Sequence, residues 1–144
     1  MTVLVGISRS DDSRAAIRLA ADEARYRNAP LIAIMAYPAE RTWSPAVRPA
    51  VQLLTPGDDR ATAEDLLREA VRDALGDDAQ NVQYQAVAGL PGRALVDSAR
   101  RTNAQLIVLA ARQGVARALG AVSQYVLLNA PCPVLAVPEA STNH

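Results

Sequence analysis

Residues Leu106 to Ala111 form an unbroken apolar run, Leu-Ile-Val-Leu-Ala-Ala. A run of this kind suits a strand buried on both faces, which needs a covering layer on each side. In a chain of ordinary size the usual solution is a parallel sheet with helices front and back. The remaining sequence supplies those layers in alternation. Thr2–Ile7 reads as a short buried strand, and Ser10-Asp11-Asp12-Ser13 as a helix start with acidic residues in its first turn. That helix carries Ile17, Ala20, Ala21 and Ala24 inward and stops near Asn28, ahead of Pro30. Leu31–Tyr37 is the second strand.

A stretch of about twenty residues follows, punctuated by Pro38, Pro45, Pro49 and Pro56, and is expected to be a mobile loop over about residues 38–60. Thr62–Leu75 then spaces Leu66, Leu67, Ala70, Val71 and Ala74 as one helix face, with Gly76 as its stop. Val82–Ala88 alternates as a third strand. Gly89-Leu90-Pro91-Gly92 turns into a helix over Arg93–Thr102 with Leu95, Val96 and Ala99 inside. After the Leu106–Ala111 strand, a loop through Gly114 and Gly120 leads to a helix from about Ala121 to Asn129, and Val134–Val137 closes as a strand. Residues from about 139 to 144 read as a disordered tail. Strands alternating with helices imply right-handed crossovers and one α/β domain over residues 1–144, with no repeat and no domain boundary.

Absent residue types narrow the chemistry. The 144 residues include no lysine, and the single histidine is His144. Catalytic dyads or triads built on histidine, histidine-containing zinc sites, Schiff bases and the Walker lysine are therefore excluded. One cysteine, Cys132, rules out an internal disulfide and fits a reducing cytoplasm. Formal net charge is zero, which argues against a nucleic-acid binder. The apolar runs are far too short for a membrane span, and Met1 leads straight into Val3-Leu4-Val5 without a basic segment, so no export signal is expected.

In an open parallel sheet, ligands gather at the carboxyl ends of strands where the strand order reverses. The candidate segments are Ser8–Ser13 and Ala110–Gly120. Taken together with Val3-Leu4-Val5-Gly6-Ile7-Ser8, Gly89-Leu90-Pro91 and Gln105-Leu106-Ile107-Val108-Leu109, the closing segment is the most specific part. It runs from Gly120-Ala121-Val122-Ser123-Gln124-Tyr125-Val126-Leu127 through Ala130-Pro131-Cys132-Pro133-Val134-Leu135-Ala136-Val137. In order and spacing the chain resembles the universal stress protein family over nearly its whole length. The resemblance implies an open five-stranded parallel sheet, order 3-2-1-4-5, and a homodimer paired through the last strand, with Val134, Leu135, Ala136 and Val137 at the contact.

Family members that bind adenine nucleotides carry an aspartate at the end of strand one and a Gly-x2-Gly-x9-Gly-Ser/Thr loop after strand four. Glycines let backbone N–H groups approach phosphate, and the following helix offers its positive end. Here the aspartate position is Ser8, the first glycine is Ala110, and the second falls on Gln113 with Gly114 one place late. Gly120 is kept, but Ala121 replaces the hydroxyl, and six residues rather than nine separate Gln113 from Gly120. The resemblance thus implies a candidate site of Ser8, Ala36, Ala110, Arg112, Gly114, Gly120, Ala121, Val122 and Ser123. Arg112 and Arg117 could add charge toward a phosphate, although a solvated loop surface is the more ordinary use of both.

Other features have plain structural readings. Ser8-Arg9-Ser10-Asp11-Asp12-Ser13 loosely resembles the Ser-Gly-Gly-x-Asp-Ser loop of ATP pyrophosphatases, but both glycines are replaced and a helix cap accounts for it. Cys132, between two prolines, reads as a small apolar residue, and Trp43 as either folded onto the domain or offered to a partner. The pairs Asp11/Asp12, Asp58/Asp59 and Asp77/Asp78 read as caps and turns, not as metal or acid/base dyads. The expectation is a cytoplasmic, dimeric, non-enzymatic module with weak or lost ATP binding, acting in stress response through contacts with a protein partner. No cofactor, metal, nucleic acid or membrane is expected. The alternative is a binder of ATP or AMP through a remodelled phosphate loop.

Overall fold

The computed structural model describes residues 1–8, 12–38, 56–111 and 120–138. Five strands form one parallel sheet: β1 (Thr2–Gly6), β2 (Leu31–Tyr37), β3 (Val82–Ala88), β4 (Ala104–Ala111) and β5 (Val134–Pro138). Its order is β3-β2-β1-β4-β5. Four helices alternate with them: α1 (Arg14–Arg27), α2 (Pro56–Leu75), α3 (Pro91–Arg101) and α4 (Ala121–Asn129). The α/β class is the one expected from the alternating strands and helices, and the strand order is the one that the family resemblance implies.

Pleating divides the core between the two faces of the sheet. Val3 and Val5 of β1, Ala33 and Met35 of β2, and Leu106 and Val108 of β4 turn toward Ile17, Ala20, Leu67 and Val71 of α1 and α2. The alternate residues Leu4, Ile32, Ile34, Ile107 and Leu109 turn toward Leu95, Val96 and Ala99 of α3 and Val126 of α4. Register follows the same alternation: Leu4 lies between Ile32 and Ile107, Val5 between Ala33 and Val108. β4 therefore has side chains buried on both faces, the physical reason for its unbroken apolar sequence.

Four local details differ from the sequence expectation. α1 starts only after Ser13 and has no acid in its first turn. Asp12 sits ahead of it and accepts the Arg14 backbone N–H at 3.1 Å. α2 starts at Pro56, six residues before Thr62, because proline at the first helical position loses no hydrogen bond that the helix would make. The expected loop thus ends earlier than residue 60; residues 39–55, with Trp43, and the tail at 139–144 lie outside the described residues. Asp59 is consequently not a turn residue but lies inside α2, buried, with Oδ1 unpartnered among the described residues. After α2, Gly76 at φ +58° turns the chain into a 3-10 segment, Gly76–Asn81, that delivers it to β3. α3 takes Pro91 and Gly92 into its first turn, two residues before Arg93.

Candidate functional site

β1 lies between β2 and β4, and its carboxyl end is where the connections diverge to the two faces. A cavity of about 290 Å³ opens there. Its floor is Gly6, Ile7 and Ser8 after β1, Ile34 and Ala36 of β2, and Leu109 and Ala110 of β4. Pro91 and Leu95 of α3 supply an apolar wall. Gly6 is required by that wall: a Cβ there would stand 2.7 Å from Leu95 Cδ1. Gly120, Ala121, Val122 and Ser123 bring the start of α4 to the rim.

The α4 start is chemically open. Gly120 precedes the helix in an extended conformation, φ −66° and ψ 164°, with no side-chain cap. Gln124 N–H donates to Gly120 O at 3.0 Å and closes the first turn. The N–H groups of Ala121, Val122 and Ser123 come before that bond and have no acceptor within the helix. They carry the positive end of the α4 dipole to the cavity.

Ser13 also lines this cavity, just ahead of α1. It occupies the cap position, yet its hydroxyl makes no cap hydrogen bond. Ser13 is only 5% exposed, and its Oγ has no hydrogen-bond partner among the described residues. A second cavity of about 400 Å³ adjoins the first, sharing Ile7, Ser8 and Ser13 and bounded by Asp12, Arg14 and Asp73. There Arg14 grips Asp12 with Nε at 3.1 Å from Oδ1 and Nη2 at 2.9 Å from Oδ2. The Arg14 guanidinium, with its backbone N–H, holds the Asp12 carboxyl down at about 2.

Of the residues singled out in the sequence, Ser8, Ala36, Ala110, Gly120, Ala121, Val122 and Ser123 all line the first cavity. Arg112, Gln113, Gly114 and Arg117 lie outside the described residues. Pro91 and Leu95 were not among the candidate site residues, and Ser13 fell within the candidate segment Ser8–Ser13 but was read there as part of a helix start. Ser13 carried a signal, a serine before an apolar-periodic segment, but that signal ordinarily denotes a cap. No group of three His, Cys, Asp or Glu side chains suited to a metal occurs among the described residues.

β5 is an edge strand bonded to β4, with Val134 opposite Ile107 and Ala136 opposite Leu109. Val134 and Ala136 pack on the α3 side and Val137 on the α1 side, while Leu135 is exposed. Near it, α4 leaves Leu127 and Leu128 in solvent, the latter 84% exposed. Cys132, half-buried before β5, has its thiol pushed up by burial, the opposite of an activated nucleophile.

A doubly wound parallel sheet with a cavity at the switch point and a glycine-led helix beside it defines an open α/β protein with its cleft at the carboxyl ends of the strands. The universal stress protein family matches residues 1–138, and the chain belongs to that family. It is similar in structure to the universal stress protein UspA from Lactobacillus plantarum, at 26% identity and TM-score 0.71, covering 94% of this chain and 97% of that one. A universal stress protein in complex with cAMP is 26% identical with TM-score 0.66, covering 97% of this chain and 98% of that one. The fold is shared too by the Archaeoglobus fulgidus universal stress protein in complex with dAMP, at 21% identity and TM-score 0.65, covering 95% and 97%. No curated protein matches the chain. Among the described residues no helix is long and apolar enough to cross a membrane.

Proposed function

We propose that the protein is a non-enzymatic, dimeric, cytoplasmic module whose cavity holds a small adenine nucleotide, with AMP-type ligands preferred and ATP held weakly. Gly120 carries this reading. Its φ of −66° is open to any residue, and a Cβ placed on it meets nothing within 4 Å among the described residues. Neither backbone nor packing calls for glycine there, although glycine costs conformational entropy. Close approach of a ligand to the α4 N–H groups does call for it. Relatives that hold cAMP and dAMP support the ligand class.

Weak affinity for a nucleotide with a free ribose diol, AMP and ATP alike, follows from what lines the cavity. Ser8 stands at the end of β1, and no carboxylate lines the first cavity among the described residues, so there a ribose diol lacks a charged acceptor. A lost charge-assisted bond costs about 1.5–3 kcal/mol, and Ala121 lacks a hydroxyl worth about 1 more. Together these amount to roughly a hundredfold to a thousandfold in dissociation constant. Thermal denaturation with AMP, cAMP and ATP tests the reading. A ligand at ten times its dissociation constant stabilises by about 1.4 kcal/mol, a rise of roughly 3–6 °C for a domain of this length. AMP and cAMP are expected to give that rise at millimolar concentration, ATP a smaller one. Gly120→Val is expected to erase the rise while unfolding at an unchanged temperature without ligand, since the site has room for the side chain. No rise with any of the three would remove the nucleotide from the reading.

Dimerisation through β5 is the second part of the proposal. Ile107 N–H donates to Pro133 O at 3.1 Å, and in a parallel ladder the same residue then accepts from Leu135 N–H. Val134 and Ala136 therefore direct their N–H groups away from β4, along an edge on which Leu135 is exposed. Pairing with a twofold mate satisfies those groups. Light scattering at micromolar protein is expected to give a dimer mass. Val134→Pro, which removes an outward donor and leaves the β4 ladder whole, is expected to give monomer. A Val134→Pro protein that still dimerises would place the contact elsewhere.

A further inference from the structure

We infer that the nucleotide taken here is an acylated one, an adenylate whose phosphate carries a short aliphatic acyl group lying between α3 and α4. The inference rests on the nucleotide reading above and specifies the ligand of that site. Its observation is a set of apolar side chains just outside the cavity, beside the α4 start. Leu90, Val122 and Tyr125 are all exposed. Val122 lines the cavity from α4, and Leu90 directly precedes Pro91, which lines it from α3.

The backbone brings these three side chains together. Val122 and Tyr125 are three residues apart on α4 and share a flank. That flank is turned to α3, since a Cβ on Gly92 would stand 2.9 Å from Tyr125 Cδ1. Gly92 is buried, two residues after Leu90, so the Tyr125 ring rests on the first turn of α3. The result is a furrow floored by Gly92, bordered by Leu90, Val122 and Tyr125, and continuous with the cavity at Pro91 and Val122.

The fold itself does not call for this exposure. A surface helix ordinarily turns charged and polar residues outward, yet none of the nine residues of α4 is charged. Ser123 and Val126 alone are buried and hold it to the core. Single exposed apolar residues are ordinary, but a contiguous set beside a cavity marks a surface that something covers. A partner paired through β5 is not that cover. α3 packs on β4, β1 and β2 and α4 on β5, so the furrow is on the side of α4 away from the sheet edge. An acyl group joined to a phosphate at the α4 N–H groups enters the furrow beside Val122. Such an adenylate carries one negative charge and an apolar chain, which suits an anion-binding end bordered by an uncharged flank. Bare AMP leaves the furrow in water.

Isothermal titration of the intact protein with two 5′-O-(N-acylsulfamoyl)adenosines, stable mimics of an acyl adenylate, tests this. The hexanoyl compound is expected to bind about tenfold tighter than the acetyl one, the worth of four methylene groups roughly half covered. Leu90→Ser, at an exposed position, is expected to bring that ratio close to one. Leu127→Ser is the control: Leu127 is also exposed, but it is turned about 140° around the helix axis from Val122, and the ratio is expected to persist. Equal binding of the two compounds by the wild-type protein overturns the inference while leaving the nucleotide reading in place. So does a ratio that survives Leu90→Ser, one lost in Leu127→Ser, or a protein that binds AMP but neither compound. Binding of none of the three removes both readings.

Discussion

Ile107→Ala is expected to lower the free energy of unfolding by about 3 kcal/mol and the melting temperature by roughly 10 °C. Ile107 is wholly buried in the middle of β4. It lies beside Leu4 of β1 and Val134 of β5 in the sheet. On the helical side it belongs to the cluster of Leu95, Val96 and Val126. Truncation there loses transfer energy and leaves a void walled by sheet on one side and two helices on the other, which cannot easily collapse. Urea denaturation should show the midpoint falling with an unchanged slope, since the amount of surface exposed on unfolding stays the same. Leu128→Ala, at an 84% exposed position, should change stability by less than about 0.5 kcal/mol in the monomer. A loss below about 1 kcal/mol at Ile107 would contradict a β4 packed on both faces.

Gly92→Val should have the second-largest effect, through a helix that it does not belong to. Gly92 is buried in the first turn of α3, and a Cβ on it would lie 2.9 Å from Tyr125 Cδ1 and 3.2 Å from Tyr125 Cβ. Valine therefore pushes on α4, at a cost of about 1–3 kcal/mol for overpacking. α4 cannot retreat without carrying its start away from the cavity, so any AMP-induced rise in melting temperature should shrink as well. The double variant Gly92→Val/Tyr125→Ala, compared with each single change, isolates that contact. Additive effects in the cycle would show that the two residues do not press on each other.

Much of this architecture was legible because burial writes itself into residue order. Leu106–Ala111 announces a two-sided strand, and Ile17, Ala20 and Ala24 announce a one-sided helix. The start of α2 was less legible, since Pro56 reads equally as loop punctuation or as a first helical residue. Glycines tell a similar story. Gly6 and Gly92 look alike in sequence, yet each is fixed by a side chain far along the chain, Leu95 and Tyr125. At the site, Ser8 and Gly120 stood out by their positions after strands one and four. Ser13 did not, because whether a serine caps its helix or is left idle depends on its neighbour Asp12. Such a choice is made by three-dimensional geometry, not by composition or spacing.

The strand order also bears on how the chain can assemble as it is synthesised. β1 is the first strand made and the central one, but its β4 neighbour ends at Ala111. The hydrogen bond from Thr2 Oγ1 to Thr102 Oγ1 at 3.1 Å, at the end of α3 just before β4, already spans a separation of 100 residues. While β2, β3, α1 and α2 emerge, one edge of Val3-Leu4-Val5 and the face that α3 will cover have nothing of their own chain to meet. At ribosomal speeds of about 5–20 residues per second that interval lasts several seconds, far longer than local helix formation. A nascent chain stalled before Ala104 should therefore display an adhesive β1 edge, and depend on chaperone shielding that the completed sheet no longer needs.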